Sequence, residues 1–239
     1  MKKLISLCLA MTMLLGSMVG CGKTPTSSSG NPSNSEGGGL GTPQTFKFGL
    51  TVASTHPYSI AAQNFAELVE EKSGGNMTVD LYYDSSLGDD AALMESMQMN
   101  AVTFALVGPA GIAPMCPIYE FFDLPCLFAT RDAAYAFQES EPVLELMDSL
   151  SANGLRGLGF YENGYYAISN NAKEITTVDG LNNLKLRSMT SEMAIKSWEC
   201  LNVQPVAMAF GELFMAMQTG TVDGQETTIG SFYTSKFYE

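Results

Sequence analysis

"TFKFGLTVASTHPYSIAAQNFAELVEEKSGGNMTVDLYYDSSLGDDAALMESMQMNAVTFALVG", residues 45–108, decides the fold. "TFKFGLTVA" (45–53) alternates apolar and polar positions and reads as a strand. "STHPYS" follows, with Pro57 suited to the first turn of a helix. Ala61, Phe65, Leu68 and Val69 then recur at helical spacing, and "KSGG" closes the helix on a glycine. "MTVDLYY" is the next strand. "SSLGDD" is a turn and a helix start, with Asp89 and Asp90 at the positive end of the helix dipole. Leu93, Met94 and Met97 share the buried face of that helix. "VTFALVG" is a third strand, apolar enough to be buried on both sides. The order β-α-β-α-β predicts an open α/β sheet.

Toward the N-terminus the chain changes character. Lys2 and Lys3 precede the apolar run "LISLCLAMTMLLGSMVG", which ends in small residues before Cys21. A Gly-Cys junction behind such a run resembles the lipobox of bacterial lipoproteins. Residues 1–20 are therefore expected to be a signal peptide and Cys21 a lipid-attachment site. Plain secretion and an uncleaved membrane helix are the alternatives. Residues 21–44 carry the anchor cysteine and a Gly-, Ser-, Pro- and Asn-rich stretch that cannot pack, a flexible tether. No later apolar run is long enough to span a bilayer. The expected location is extracytoplasmic, tethered to the cell membrane by lipid.

Toward the C-terminus, "PAGIAPMCPIYEFFDLPCLF" (109–128) is too broken by proline for a long helix and is expected to pack as short turns. Residues 130–154 read as a helix in two pieces, interrupted before Pro142. "LRGLGFYENGYYAIS" (155–169) is long and extended, fit to cross from one lobe into another. A smaller β/α unit follows. "KLRSM" is a strand, and "SEMAIKSWECLN" a helix with Ala194, Ile195 and Trp198 on its apolar side. "VQPVAMA" is a strand placed near an edge by Pro205. "GELFMAMQTG" is a helix burying Leu213, Phe214, Ala216 and Met217, and "TVDGQETT" is extended again. The chain then stops inside "IGSFYTSKFYE", which begins a helix, so the sequence reads as a fragment. Cys116, Cys126 and Cys200 fall in the folded part; a Cys116–Cys126 bridge and free thiols both fit the spacing.

The formal charge is −13 over 239 residues. Nucleic acid is excluded as a partner, because binding phosphate needs a basic footprint. One buried arginine can still set the field around a small anion. Enzyme signatures are missing: no G-x-S-x-G, no H-E-x-x-H, no C-x-x-C pair and no P-loop. A single histidine cannot supply a multi-histidine metal site. Carboxylates are plentiful, but nothing in their pattern sets two of them face to face, so a secreted hydrolase is the lesser alternative.

Three stretches together resemble the solute receptors of tripartite ATP-independent periplasmic (TRAP) transporters, the DctP family. They are "LGDDAALMESMQMNAVTFALV", "LRGLGFYENGYY" with "LNNLKLRSM", and "VAMAFGELFMAMQTGTVDGQE" with "SKFYE". The likeness covers residues 45–239. It implies an α/β, two-lobed, periplasmic-binding-protein-like receptor with a ligand cleft between lobes, not an enzyme. It implies lobe 1 at 45–163, completed by 226–239 and by further C-terminal residues, and lobe 2 at 164–225. The implied partners are a small organic acid and the membrane permease subunits of a TRAP system, with no ATP, metal or other cofactor on this chain. A sensor lipoprotein signalling to a membrane kinase is the alternative.

The resemblance makes Arg187, in "KLR", the residue that grips a ligand carboxylate. The residues agree independently. Leu184 and Leu186 point to one side of the strand and Lys185 and Arg187 to the other. Arg187 stands near the carboxyl end of its strand, where open α/β sheets collect ligands, beside a helix start capped by Thr190 or Ser191. Two positions depart from the family. Tyr166 stands where many members carry a second arginine, and Thr227 replaces an asparagine in "DGQET". Less charge and more aromatic surface point to a monocarboxylate with an apolar or aromatic body; hinge packing is the other reading of Tyr166. Asn163 and Gln225 lie on the two extended crossings and are candidates to reach the cleft. Glu226 is either a ligand contact or a structural hydrogen-bond partner. Met208 and Phe210 are candidates for an apolar wall. His56 is either a solvated turn residue or a cleft-edge residue.

Overall fold

A computed structural model describes residues 42–239. The expected signal peptide, Cys21 and almost all of the tether lie outside the described residues.

The first sheet follows from the opening β-α-β-α-β stretch. Strands β1 (Gln44–Leu50), β2 (Met77–Tyr82) and β3 (Phe104–Leu106) pair in parallel in the order β2-β1-β3. β1 starts at Gln44, which pairs with Met77, so the tether gives way to structure one residue earlier than expected. β3 is half-buried at a sheet edge rather than buried on both faces, because β1 takes the central place.

Helix α1 (Pro57–Lys72) has Pro57 in its first turn and ends before Gly74 and Gly75, both in the left-handed region. It packs on the sheet through Ser59, Ala62 and Phe65, a row that leaves Leu68 exposed, contrary to expectation. Helix α2 (Asp90–Gln98) is capped by Asp89, whose side chain accepts from the Ala92 amide at 2.9 Å, and buries Leu93 and Met94. Phe48, Leu50, Val52 and Ala62 form the core, with Phe65, Val79 and Phe104 against them.

The proline-rich segment is two short turns, as its composition predicts: α3 (Pro109–Ile112) and a 3-10 turn at Pro117–Asp123. Helices α4 (Arg131–Gln138) and α5 (Glu141–Ser149) are the two pieces separated ahead of Pro142. Cys116, Cys126 and Cys200 are all free.

The extended segment then enters the second sheet as β4 (Tyr166–Asn170). With β5 (Lys185–Ser188), β6 (Gln204–Ala207) and β7 (Gly224–Thr228) it forms the order β4-β7-β5-β6. β6, with Pro205, is at the edge, where a missing N–H costs least. β7 is central, antiparallel to β4 and parallel to β5. The boundary expected between 225 and 226 therefore falls inside β7, whose residues pair with β4 through Thr228. Gly224 is required there: a Cβ would run into the Ser169 carbonyl and meet Asn170 Cβ at 2.6 Å.

Helix α6 (Glu192–Glu199) is capped by Ser191, which accepts from the Ala194 amide at 3.2 Å. Its Trp198 joins Leu181, Leu184, Leu186 and Val203 in a second core. Helix α7 (Leu213–Gln218) buries Leu213 but leaves Phe214 exposed, and α8 (Ile229–Thr234) follows β7. On the face of β5 opposite Leu184 and Leu186, Lys185 is exposed and Arg187 is buried.

Candidate ligand-binding site

A cavity of about 900 Å³ is lined by residues from both sheets and from the extended crossing. β5, β6 and β7 deliver their carboxyl ends to it. Strand pleating turns Leu184 and Leu186 into the second core and Arg187 to the opposite face. Arg187 is only 7% exposed. Its Nε and Nη2 donate to the Met208 carbonyl at 3.2 and 3.1 Å. A guanidinium has five N–H donors, so this leaves three, including both on Nη1. No ion pair among the described residues involves Arg187. Burial pushes its pKa down, while the charges of Tyr166, Glu226 and Asp90 push it back up. Phe210 lies under it, with Cζ 6.0 Å from the ring centroid, a cation–π distance. Phe210 also packs on the core of the first sheet, so one aromatic ring joins the two halves beside the guanidinium.

Six of the nine expected ligand residues line this cavity: Arg187, Tyr166, Asn163, Thr227, Met208 and Phe210. Tyr166 is 50% exposed, and its surroundings still push its hydroxyl pKa up. Asn163 accepts from Thr228 Oγ1 at 3.1 Å.

Gln225, Glu226 and His56 do not line it. Gln225 is fully buried in the central strand, donating to Ser169 Oγ at 3.5 Å, with its Oε1 unpartnered. Glu226 alternates to the opposite face from Thr227 and accepts from Trp198 Nε1 at 3.1 Å, so the structural alternative describes it. Burial raises its pKa. His56 is 2% exposed, neither a solvated turn residue nor a cavity wall. It caps α1, its Nδ1 accepting from the Tyr58 amide at 3.1 Å, and its Nε2 meets Ser231 Oγ at 3.0 Å.

Asp90, read from sequence only as part of a helix start, is a titratable group in the cavity wall. Its Oδ2 accepts from the Gly108 amide at 3.0 Å, while its Oδ1 is buried with no partner. Burial, with Asp89 adjacent, raises its pKa to about 6, against the opposing pull of Gly108 and Arg187. Gly111 makes the room, since a Cβ there would press on Asp90 and on Val107 Cγ1 at 2.8 Å. A signal existed. One acid suffices to cap α2, and Asp89 does so, leaving the second acid without a local task.

The site thus offers a cation with free donors, a carboxyl whose pKa burial raises to about 6, and the neutral polar groups of Tyr166, Asn163 and Thr227 against a methionine and phenylalanine wall. This suits an organic anion that carries a second polar group.

The model of the bacterial extracellular solute-binding protein family 7, DctP, matches residues 48–239. The chain belongs to that family. Among DctP-family relatives, the chain is 33% identical over 193 residues to the C4-dicarboxylate-binding protein DctB of Bacillus subtilis, covering 81% of this chain and 55% of that protein. It is similar to the sugar acid binding protein DctPAm of Advenella mimigardefordensis, solved with galactonate: 36% identity, TM-score 0.81, 82% of this chain and 64% of that one. It is also similar to a TRAP periplasmic solute-binding protein of Shewanella oneidensis solved with succinate: 32% identity, TM-score 0.79, 82% and 64% covered. The DctP-family fold is two-lobed, and the two sheets described above correspond to it. The chain spans less than two thirds of the length of these relatives.

Proposed function

We propose that this chain is the solute-binding part of a TRAP transporter receptor that captures a small organic acid through its carboxylate. One observation carries the reading: Arg187 is a buried cation that faces a cavity without a carboxylate partner. Burying a lone charge is costly, so such a site is completed by an anion. The Met208 carbonyl occupies the Nε edge of the guanidinium. The Nη1–Nη2 edge is left for the bidentate pairing that makes arginine a good carboxylate clamp. Relatives solved with galactonate and succinate support the ligand class.

Tyr166 in place of a second arginine, with Met208 and Phe210 alongside, favours a monocarboxylate with an apolar or aromatic body. Asp90 adds a place for one hydrogen-bonding group on that body. Binding closes the lobes on the ligand, because the ligand stabilises the conformer that contacts it from both sides. The closed form is what a membrane permease recognises. The lipobox-like junction before Cys21 supports tethering to the cell membrane by lipid.

Mass spectrometry of small molecules released from the purified chain, followed by thermal-shift titration with succinate, galactonate, phenylacetate and phenylpyruvate, tests the reading. At least one carboxylic acid should raise the melting temperature, while its neutral amide should not. Selective binding of uncharged sugars, or equal response to acid and amide, would overturn it. Succinate binding far better than the two aryl acids would overturn the apolar-body assignment alone.

A further inference from the structure

Four side chains from three separate stretches of the sequence form one chain of hydrogen bonds ending at the cavity. His56 Nε2 lies 3.0 Å from Ser231 Oγ, Ser231 Oγ lies 3.1 Å from Thr228 Oγ1, and Thr228 Oγ1 lies 3.1 Å from Asn163 Oδ1. A hydroxyl can donate or accept, so such a chain usually has no sense of direction. Here it has one. The Tyr58 backbone N–H can only donate, and it points at His56 Nδ1 at 3.1 Å. Nδ1 must therefore accept, which leaves the proton of the neutral ring on Nε2. Nε2–H donates to Ser231; Thr228 has one proton, which the acceptor-only Asn163 oxygen takes, so in the Ser231–Thr228 pair the serine hydroxyl donates. The Asn163 side chain receives that last proton on its oxygen, so its N–H donors are turned elsewhere. Asn163 lines the cavity, and its side chain also bonds the Tyr166 hydroxyl.

We infer that His56 is a positioning residue for the anion site: through Ser231 and Thr228 it locks the Asn163 amide so that N–H, not oxygen, is offered to the ligand. The inference rests on the anion-capture reading above. An oxygen turned to the cavity would repel a carboxylate; with one N–H of Asn163 given to the Tyr166 hydroxyl, the other N–H attracts it. The chain also ties the start of α1 to β7 and α8, joining the first sheet's helix to the second sheet's central strand.

The surroundings keep the ring neutral. The titratable group facing His56 is Tyr58, with ring centroids 4.7 Å apart; Tyr58 in turn lies near Tyr161, Tyr166, Glu162 and Asp90. α8 presents Ser231 to the histidine, β7 backs that serine with Thr228, and the β7 acid, Glu226, is held by Trp198. Burial is the one cause acting on the His56 pKa, and it lowers it.

The test uses the whole chain, in which His56 is the single histidine, so its imidazole nitrogens need no assignment. Nitrogen-15 spectra should show the neutral Nε2–H tautomer at pH 7. Asn163→Asp keeps an acceptor for Thr228 and replaces the N–H donors with oxygen. It should leave the tautomer unchanged and weaken binding of whichever probe acid the parent binds. His56→Asn retains a cap for α1 but is too short to reach Ser231; His56→Gln places a donor where Nε2 was. The first should weaken binding about 2- to 10-fold, one hydrogen bond's worth, and the second should restore it. An Nδ1–H tautomer, or equal binding by His56→Asn and the parent, overturns the relay. A parent that binds none of the four acids removes the anion site itself, and the role given to His56 falls with it. These two failures are told apart because the tautomer is read without ligand.

Discussion

Replacing Arg187 with methionine separates binding from folding, and the structure sets the size of each effect. The guanidinium is buried and commits two of its five N–H donors to the Met208 carbonyl. In the ligand-free protein the substitution removes those two bonds, a loss of about 1.5 to 3 kcal/mol each in hydrogen bonds to charged groups. It also removes an unpaired buried charge, a relief of several kcal/mol. The two oppose each other, so ligand-free stability should move by no more than about 2 kcal/mol, in either direction. In the complex no such offset exists. The ligand carboxylate is left desolvated without its partner, which costs about 2 to 5 kcal/mol, a loss of affinity of roughly thirtyfold to several thousandfold. Calorimetric titration of parent and Arg187→Met with the same acid measures the second quantity, and urea denaturation of the free proteins measures the first. A folded Arg187→Met protein that binds within about threefold of the parent would refute the clamp, since even one ordinary hydrogen bond is worth that much.

Three further outcomes follow from other parts of the molecule. Asp90 has its pKa raised to about 6, so it is ionised at neutral pH and repels an anionic ligand. Affinity for a fully ionised acid should rise as pH falls through about 6, and Asp90→Asn should flatten that step in titrations from pH 5 to 8. The same group binds its proton more tightly folded than unfolded. Its contribution to stability is therefore present below its ordinary value of 3.8 and is lost as pH rises to about 6; Asp90→Asn removes that slope from pH-dependent denaturation. Trp198→Phe deletes the donor to Glu226 and leaves a half-buried carboxylate short of a partner, costing about 1 to 3 kcal/mol in denaturation followed by circular dichroism, whereas Glu226→Gln, which still accepts, should cost less than about 1 kcal/mol. Gly224→Ala pushes β7 off β4 at its closest approach, and the overpacking should cost about 1 to 3 kcal/mol in thermal denaturation; an unshifted melting curve would show that the two strands part freely.

Local chemistry made much of this molecule readable before any coordinates. Helix starts announced themselves because their devices are short-range: Asp89 and Ser191 satisfy amides three residues away, and Pro57 presets the backbone of a first turn. Strand pleating separated Leu184 and Leu186 from Arg187, because alternation along four residues needs no knowledge of the neighbours. Which face of a strand meets a cavity is a different matter. Thr227 reaches it, while Glu226, one residue away, turns to Trp198 and Gln225 is sealed between β4 and β5. The central place of β7 decides that, and pairing between strands dozens of residues apart leaves no local mark. Leu68 and Phe214 fit a helical stripe yet stay exposed, since the helix row that packs is chosen by the sheet beneath it.

The sequence by itself determined the β-α order, the caps, the family likeness and the strand that carries Arg187. Each is written in residues a few positions apart. Only the tertiary structure decided that His56 is buried against Ser231, 175 residues away, and that Asp90 is sealed in by Gly108 and Gly111. Burial and the direction of a hydrogen-bond chain belong to the partners a group meets, and distant partners meet only when the chain has folded.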